Sequence, residues 1–253
     1  MIAYVLGSMG SIQDREASNT SLAVTSEGRT LLIDVSGSPI QALKRSGLDA
    51  LSLDALLLTH AHIDHIYALP SLIHQMWLMG RKEDLTIIAN GPTIEVAQRL
   101  YDLFSLSEKK GIFAVNWQTA EQGGAVAQIG AMSVSLVAVD HGIPTFGCVL
   151  EEGDRKIVYL ADCRIGDAYP SCTFDADLLI HEAGGLADSE MQLAAGGHSS
   201  ARQAAMTAHR LRARRLVLVH LPCIETVQRQ MLTEAQARCA SSELPRLFEP
   251  YYV

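Results

Sequence analysis

Apolar and polar positions along the chain follow two periods, and their alternation divides it into strands and helices. AYVLGS (3–8), TSLAV (20–24) and TLLIDV (30–35) are short apolar runs separated by Gly, Ser and Asn, the pattern of strands joined by turns. LDALLLT (53–59) is continuously apolar, as a strand covered on both faces must be. IYALPSLIHQMWLMG (66–80) has helical length and spacing with Pro70 in its early turns, LTIIAN (85–90) returns to strand, and TIEVAQRLYDLFSL (93–106) reads as a second amphipathic helix.

The plan then recurs. FAVNWQ (113–118), MSVSLVAVD (132–140), FGCVLEE (146–152) and RKIVYLAD (155–162) read as strands, and ADLLIHEA (176–183) as another buried one. SSARQAAMTAHRLR (199–212) is a helix with Ser199 or Ser200 available as N-cap, RLVLVH (215–220) a strand, and EAQARCASSEL (234–244) a C-terminal helix. Strands followed by helices, twice over, predict an α/β fold: two sheets face to face with helices outside, in one domain over residues 1–253. No internal repeat is visible in the sequence.

Chemistry concentrates at Thr59-His60-Ala61-His62-Ile63-Asp64-His65, between a buried strand and a helix. In extended backbone, residues two apart point the same way, so His60 and His62 can grip one ion. Asp64 and His65 fall at the turn into the helix, aimed at a second position beside the first. Imidazole and carboxylate at this density suit zinc and tolerate manganese or iron. Packing does not ask for three histidines and an aspartate in six residues. His141, Asp162 and His220 add to the set, each the first ligand-type residue after an apolar strand, where strand ends converge.

HxHxDH followed by His, Asp and His at successive strand ends resembles the metallo-β-lactamase superfamily, and within it the ribonuclease Z group of phosphodiesterases. LGS with its Gly-rich turn, TLLID, LLLTHAHIDHIYALPSL, DHGIPTFGCVLEE, YLADC, LLIHEAG, GHSSARQAAMTA and LVLVHL carry the likeness, in family order, over nearly the whole chain. The resemblance implies the αββα four-layer sandwich, a homodimer and a pair of divalent metals. His60, His62 and His141 would hold one zinc, Asp64, His65 and His220 the other, with Asp162 bridging. His198, in Gly197-His198-Ser199-Ser200, would be a catalytic histidine beside the scissile phosphate rather than on metal. Asp64 would orient the nucleophile as well as bind metal, and Glu182 is a candidate partner for one of the histidines.

The match fails in one place that bears on substrate. Ribonuclease Z enzymes insert a long arm that clamps transfer RNA between the metal His and the bridging Asp. Here DHGIPTFGCVLEEGDRKIVYLAD leaves room for two strands and a turn between His141 and Asp162. Ala161-Asp162-Cys163 also stands where Gly-Asp-Thr is usual, and Cys148 where an aromatic often follows the Gly. Armless relatives include cyclic phosphodiesterases of small substrates.

Charge points the same way. The net charge of −8 over 253 residues disfavours nonspecific grip on a polyphosphate, since each phosphate contact needs a Lys or Arg. Arg210, Arg212, Arg214 and Arg215 form the one basic cluster, read as a solvated helix end. The expected substrate is therefore a small or cyclic phosphodiester, with RNA second. Rival readings are 3′-processing of transfer RNA, hydrolysis of a lactone, thioester or β-lactam on the same metals, and a noncatalytic metal or ligand sensor.

The remaining histidines, His74, His181 and His209, read as structural, and Met76, Trp77 and Met79 as helix packing. Cys163 also reads as structural, although it stands next to a proposed ligand and approach to the metals is the alternative. Five cysteines without CxxC spacing argue against both a disulfide framework and a thiolate zinc site. The start lacks the charged and apolar regions of a signal peptide, and no apolar stretch reaches the ~18 residues of a membrane span. The expectation is a reduced, cytoplasmic protein with no membrane partner.

Overall fold

The computed structural model describes residues 1–253. In its first half, β1 (Ile2–Gly7), β2 (Ser21–Ser26) and β3 (Arg29–Ile33) form an antiparallel meander. Helix α1 (Pro39–Arg45) then leads to β4 (Leu53–Leu57), which lies parallel to β3. Helices α2 (Ile63–Ile66) and α3 (Leu69–Leu78), strand β5 (Leu85–Ala89), helix α4 (Gly91–Leu103) and strand β6 (Val115–Thr119) complete this half.

The second half runs through β7 (Ala125–Ile129), β8 (Met132–Val139), β9 (Thr145–Glu152), β10 (Arg155–Tyr159) and β11 (Leu178–Glu182). Helices α5 (Glu190–Gly196) and α6 (Ala201–Arg210) precede β12 (Leu216–Val219). Helix α7 (Glu225–Gln236) and strands β13 (Ser242–Glu243) and β14 (Pro250–Tyr252) close the chain. Each sheet has seven strands, in the orders β14-β1-β2-β3-β4-β5-β6 and β13-β12-β11-β10-β9-β8-β7.

Side-chain alternation explains why the sheets stack. In β4, Ala55 and Leu57 face the space between the sheets while Leu56, and Leu58 just past the strand, face the helices α1, α3 and α4. In β12, Val217 and Val219 take the inner face and Leu216 and Leu218 pack under α6 and α7. A strand covered on both sides needs apolar residues at every position, which is why these runs read as unbroken. The layers are therefore helix, sheet, sheet, helix, as expected. The parallel strands end along one edge, and their carboxyl ends carry the polar residues.

Several boundaries differ from expectation. The helix expected over 66–80 is two pieces, α2 and α3, and Pro70 lies in the first turn of α3, where its missing N–H costs nothing. Helix α4 starts at Gly91 because the Asn90 side chain caps the Thr93 amide. Ser200, rather than Ser199, caps α6, in a reciprocal capping box with Gln203.

FAVNWQ belongs with the first sheet, since β6 pairs parallel with β5. The helix expected over 234–244 is instead α7, followed by a strand added to β12. Only Met231 and Ala235 of α7 are buried, too thin an apolar stripe to show in the sequence. β14, pairing antiparallel with β1, was not anticipated. No helix is long and apolar enough to cross a membrane.

Candidate metal centre

All seven candidate ligands converge at the strand-end edge. His60 and His62 follow β4, Asp64 and His65 lie in α2, His141 follows β8, Asp162 follows β10 and His220 follows β12. Donor atoms of His60, His62, His141 and Asp162 lie within 4.8 Å of one another, as do those of Asp64, His65 and His220. His62 Nδ1 is 3.1 Å from both His60 Nε2 and His141 Nε2. That separation is close to the ligand-to-ligand edge of a sphere with bond length about 2.1 Å, the zinc–nitrogen distance.

Asp162 sits between the two groups. Its Oδ2 is 3.2 Å from His220 Nε2, 3.4 Å from His65 Nε2 and 3.8 Å from His60 Nε2. Asp162 Oδ1 and His65 Nε2 are buried without a hydrogen-bond partner. Orphaned buried polar atoms are costly, and a cation between them would satisfy both. The donor set thus fits divalent metal.

Outer partners fix which ring nitrogens face the centre. Thr59 donates its hydroxyl proton to Asp34, so its oxygen accepts from His60 Nδ1, 2.9 Å away, leaving Nε2 for the centre. His65 Nδ1 donates to Asp34 Oδ2 at 2.8 Å and His141 Nδ1 to the Gly197 carbonyl at 2.8 Å, with the same result. Gly197 has φ +90°, and a Cβ there would stand 2.7 Å from His141 Nδ1, so only glycine allows this contact. Asp34 escaped the sequence reading. Its signal was a carboxylate inside an apolar strand run, a residue type seldom fully buried unless paired.

The protonation pattern at His60, His62 and His141 suits a metal site. Burial, then the neighbouring His65, push His60 down to about 2; burial and its companion histidines also lower His62 and His141. Neutral imidazoles are what ligands require. Burial works against charge on Asp162, His65 and His220 too. The histidines nevertheless hold Asp162 well below the usual carboxylate range, and Asp162 lifts His65 and His220. Asp64 is lowered against its burial, chiefly by the hydrogen bond from His220.

His198 lies at the edge of this cluster. Its Nδ1 is 3.1 and 3.2 Å from the two oxygens of fully buried Glu182, and its ring stacks on His220 at 5.2 Å. Glu182, the expected histidine partner, also accepts from the Cys163 amide. Burial, then the charge of Asp162, raise its carboxyl. His198 also has a nitrogen within 4.8 Å of donor atoms of Asp162 and His220. Ser11, in the loop after β1, donates to Asp64 Oδ2 at 3.1 Å, a contact with no signal in the local sequence.

The other candidates fall outside the cluster. His74 stands beside Trp77 on α3, His209 is exposed, and buried His181 donates from Nδ1 to the Glu182 carbonyl. Met76 packs in the core under the first sheet with Trp77 partly buried beside it, and Met79 is exposed. Cys163 is buried and points to His181, 4.0 Å away. The four arginines are occupied: Arg212 pairs with Asp175, Arg214 with Asp177 and Arg215 with Glu243, and Arg210 donates to the Gly166 carbonyl.

Comparison with known proteins agrees with this geometry. The sequence profile of the beta-lactamase superfamily domain matches residues 29–221. The chain is 25% identical over 267 residues to the ribonuclease Z of Methanothermobacter thermautotrophicus, covering 85% of each. That alignment is longer than the part of this chain it uses, so the relative carries residues with no counterpart here. The metallo-beta-lactamase fold protein YhfI from Bacillus subtilis superposes with TM-score 0.84 and 22% identity, over 99% of this chain and 98% of that one. The short form of human tRNase Z superposes with TM-score 0.79 and 25% identity, over 100% and 99%.

Proposed function

Because the chain belongs to the beta-lactamase superfamily, we propose that it is a metal-dependent phosphodiesterase acting on small or cyclic phosphodiesters. The observation that carries this reading is the pairing of a two-group donor cluster with a histidine, His198, held on a buried carboxylate at its rim. In this reading His60, His62 and His141 hold one ion, Asp64, His65 and His220 the other, and Asp162 both. Zinc suits the nitrogen-rich set best. Two such ions supply Lewis acidity and a water of lowered pKa.

The chain's own groups do the rest. Asp34, Thr59 and the Gly197 carbonyl keep three imidazoles in one tautomer, so the donors are organised before any substrate arrives. Glu182 hydrogen-bonds His198 Nδ1 and so sets the ring against His220. In this reading His198 would donate a proton to the leaving oxygen. Hydrolysis of a lactone or thioester does not call for that dyad.

The small-substrate reading is supported by what joins His141 to Asp162. The connection is the hairpin of β9 and β10 with its short flanks, giving no arm to clamp an RNA. The arginine cluster is already matched by carboxylates and carbonyls of its own chain. The second reading, cleavage of precursor transfer RNA, is favoured by the name ribonuclease Z that the aligned relative carries.

The test is a panel on metal-loaded protein: bis-p-nitrophenyl phosphate, cyclic nucleotides, cyclic ribose phosphates and precursor transfer RNA. Turnover of the small diesters with a shallow salt dependence is expected. Specific RNA cleavage that collapses between roughly 50 and 200 mM salt, as contacts to many phosphates would, and that fails in Arg212/Arg214/Arg215→Ala, would establish the second reading instead.

A further inference from the structure

One cavity of 370 Å³ opens directly onto the candidate centre, with His198 and His220 in its wall. Ile12, Leu193, Pro222, Cys223 and Ile224 supply most of the rest, and no Lys, Arg, Asp or Glu lines it. Ile12 is 70% and Ile224 55% exposed, although the chain buries most of its other large apolar side chains. Two glycines keep the floor open: a Cβ on Gly10 would press within 3.2 Å of His220, and one on Gly184 within 3.0 Å of Leu193. The volume is that of a small ligand site.

We propose that this cavity is a subsite for an apolar, planar substituent of the substrate, an aryl or nucleobase group attached to the phosphoryl centre. The inference rests on the phosphodiester reading and names the kind of diester. An uncharged wall beside a site that attracts anions offers nothing to a second phosphate and penalises its desolvation. A flat ring would instead cover Ile12 and Ile224 and release their ordered water. The cavity touches His198, so the ring lies on the side of the leaving oxygen that this histidine serves. A polynucleotide, which must lead further phosphates away from the reacting one, gains least from such a wall.

The test compares two headgroup-matched probes on the metal-loaded protein, methylphosphonate and benzylphosphonate, with binding read by calorimetry so that turnover is not needed. Benzylphosphonate should bind about 10- to 100-fold more tightly, the usual scale for filling an apolar pocket. In Ile12→Ser/Ile224→Ser that ratio should collapse toward one with the methylphosphonate affinity kept, since both positions are solvent-facing and the metals are untouched. Position is read separately: benzylphosphonate, but not methylphosphonate, should slow alkylation of Cys223, with Cys239 as the internal reference. Equal affinities in the parent protein, an unchanged ratio in the variant, or equal protection of Cys223 would each overturn the subsite alone. Failure of both probes to bind would overturn the phosphoryl reading and the subsite together.

Discussion

Replacing His198 by alanine separates catalysis from metal binding. The side chain is 25% exposed and its known bond is to Glu182, so its removal opens no core cavity. Glu182 keeps the Cys163 amide as a donor, which confines the cost of its lost partner to about 1–2 kcal/mol, the lower part of the range for leaving a buried group under-satisfied. Rate should respond far more. Loss of a positioned proton donor costs ~10²–10⁴-fold, equivalent to about 3–5.5 kcal/mol of barrier. The fall should appear in kcat more than in KM, because the proton is transferred only as the leaving bond breaks. Steady-state kinetics with bis-p-nitrophenyl phosphate, metal content by elemental analysis and a denaturant melt measure the three quantities. The reasoning is refuted if metal content falls with the rate, since His198 would then be the ligand that its distances to Asp162 and His220 also permit.

Three further outcomes are expected. Asp162→Ala should lose most of both metals by elemental analysis, because one carboxylate faces both donor groups, and a fully loaded variant would defeat the bridging assignment. Burial lowers His181 from 6.5 to about 4, so its contribution is present above its unfolded pKa and is lost as pH falls through 6.5 toward 4. His181→Asn, which keeps a donor for the Glu182 carbonyl but does not titrate, should lose about 3 kcal/mol less than the parent across that window in denaturant melts; parallel pH profiles would contradict it. Ala161 holds φ +52°, a conformation that costs a non-glycine residue about 1 kcal/mol. Ala161→Gly should therefore leave the melting midpoint unchanged or raised, and a clear drop would show that the Ala161 methyl packs better than its backbone suffers.

Much of the fold and site was legible because it is written in local patterns. Unbroken apolar runs such as LDALLLT and RLVLVH are required wherever a strand is covered on both faces, and they located β4 and β12. The donor types in THAHIDH have no packing reason to cluster, so chemistry alone singled them out. Ala161 is instructive in the same way. The glycine usual at that position answers to a left-handed backbone that this chain adopts with a methyl group in place.

What the sequence by itself determined is the inventory: which segments are apolar on which period, which residues can bind metal, and the short span from His141 to Asp162. Tertiary structure decided the rest, because it depends on groups distant along the chain. Asp34 became the anchor of both Thr59 and His65 only once β3 and β4 lay parallel. Glu182 found His198, and not a ligand, through the packing of α6 against β11. β6, β13 and β14 joined their sheets by pairing with strands far away, which their own weak periodicity could not announce. The apolar wall of Ile12, Pro222 and Ile224 has no sequence signature, since single exposed apolar residues are ordinary and only their meeting beside His220 makes a surface with a use.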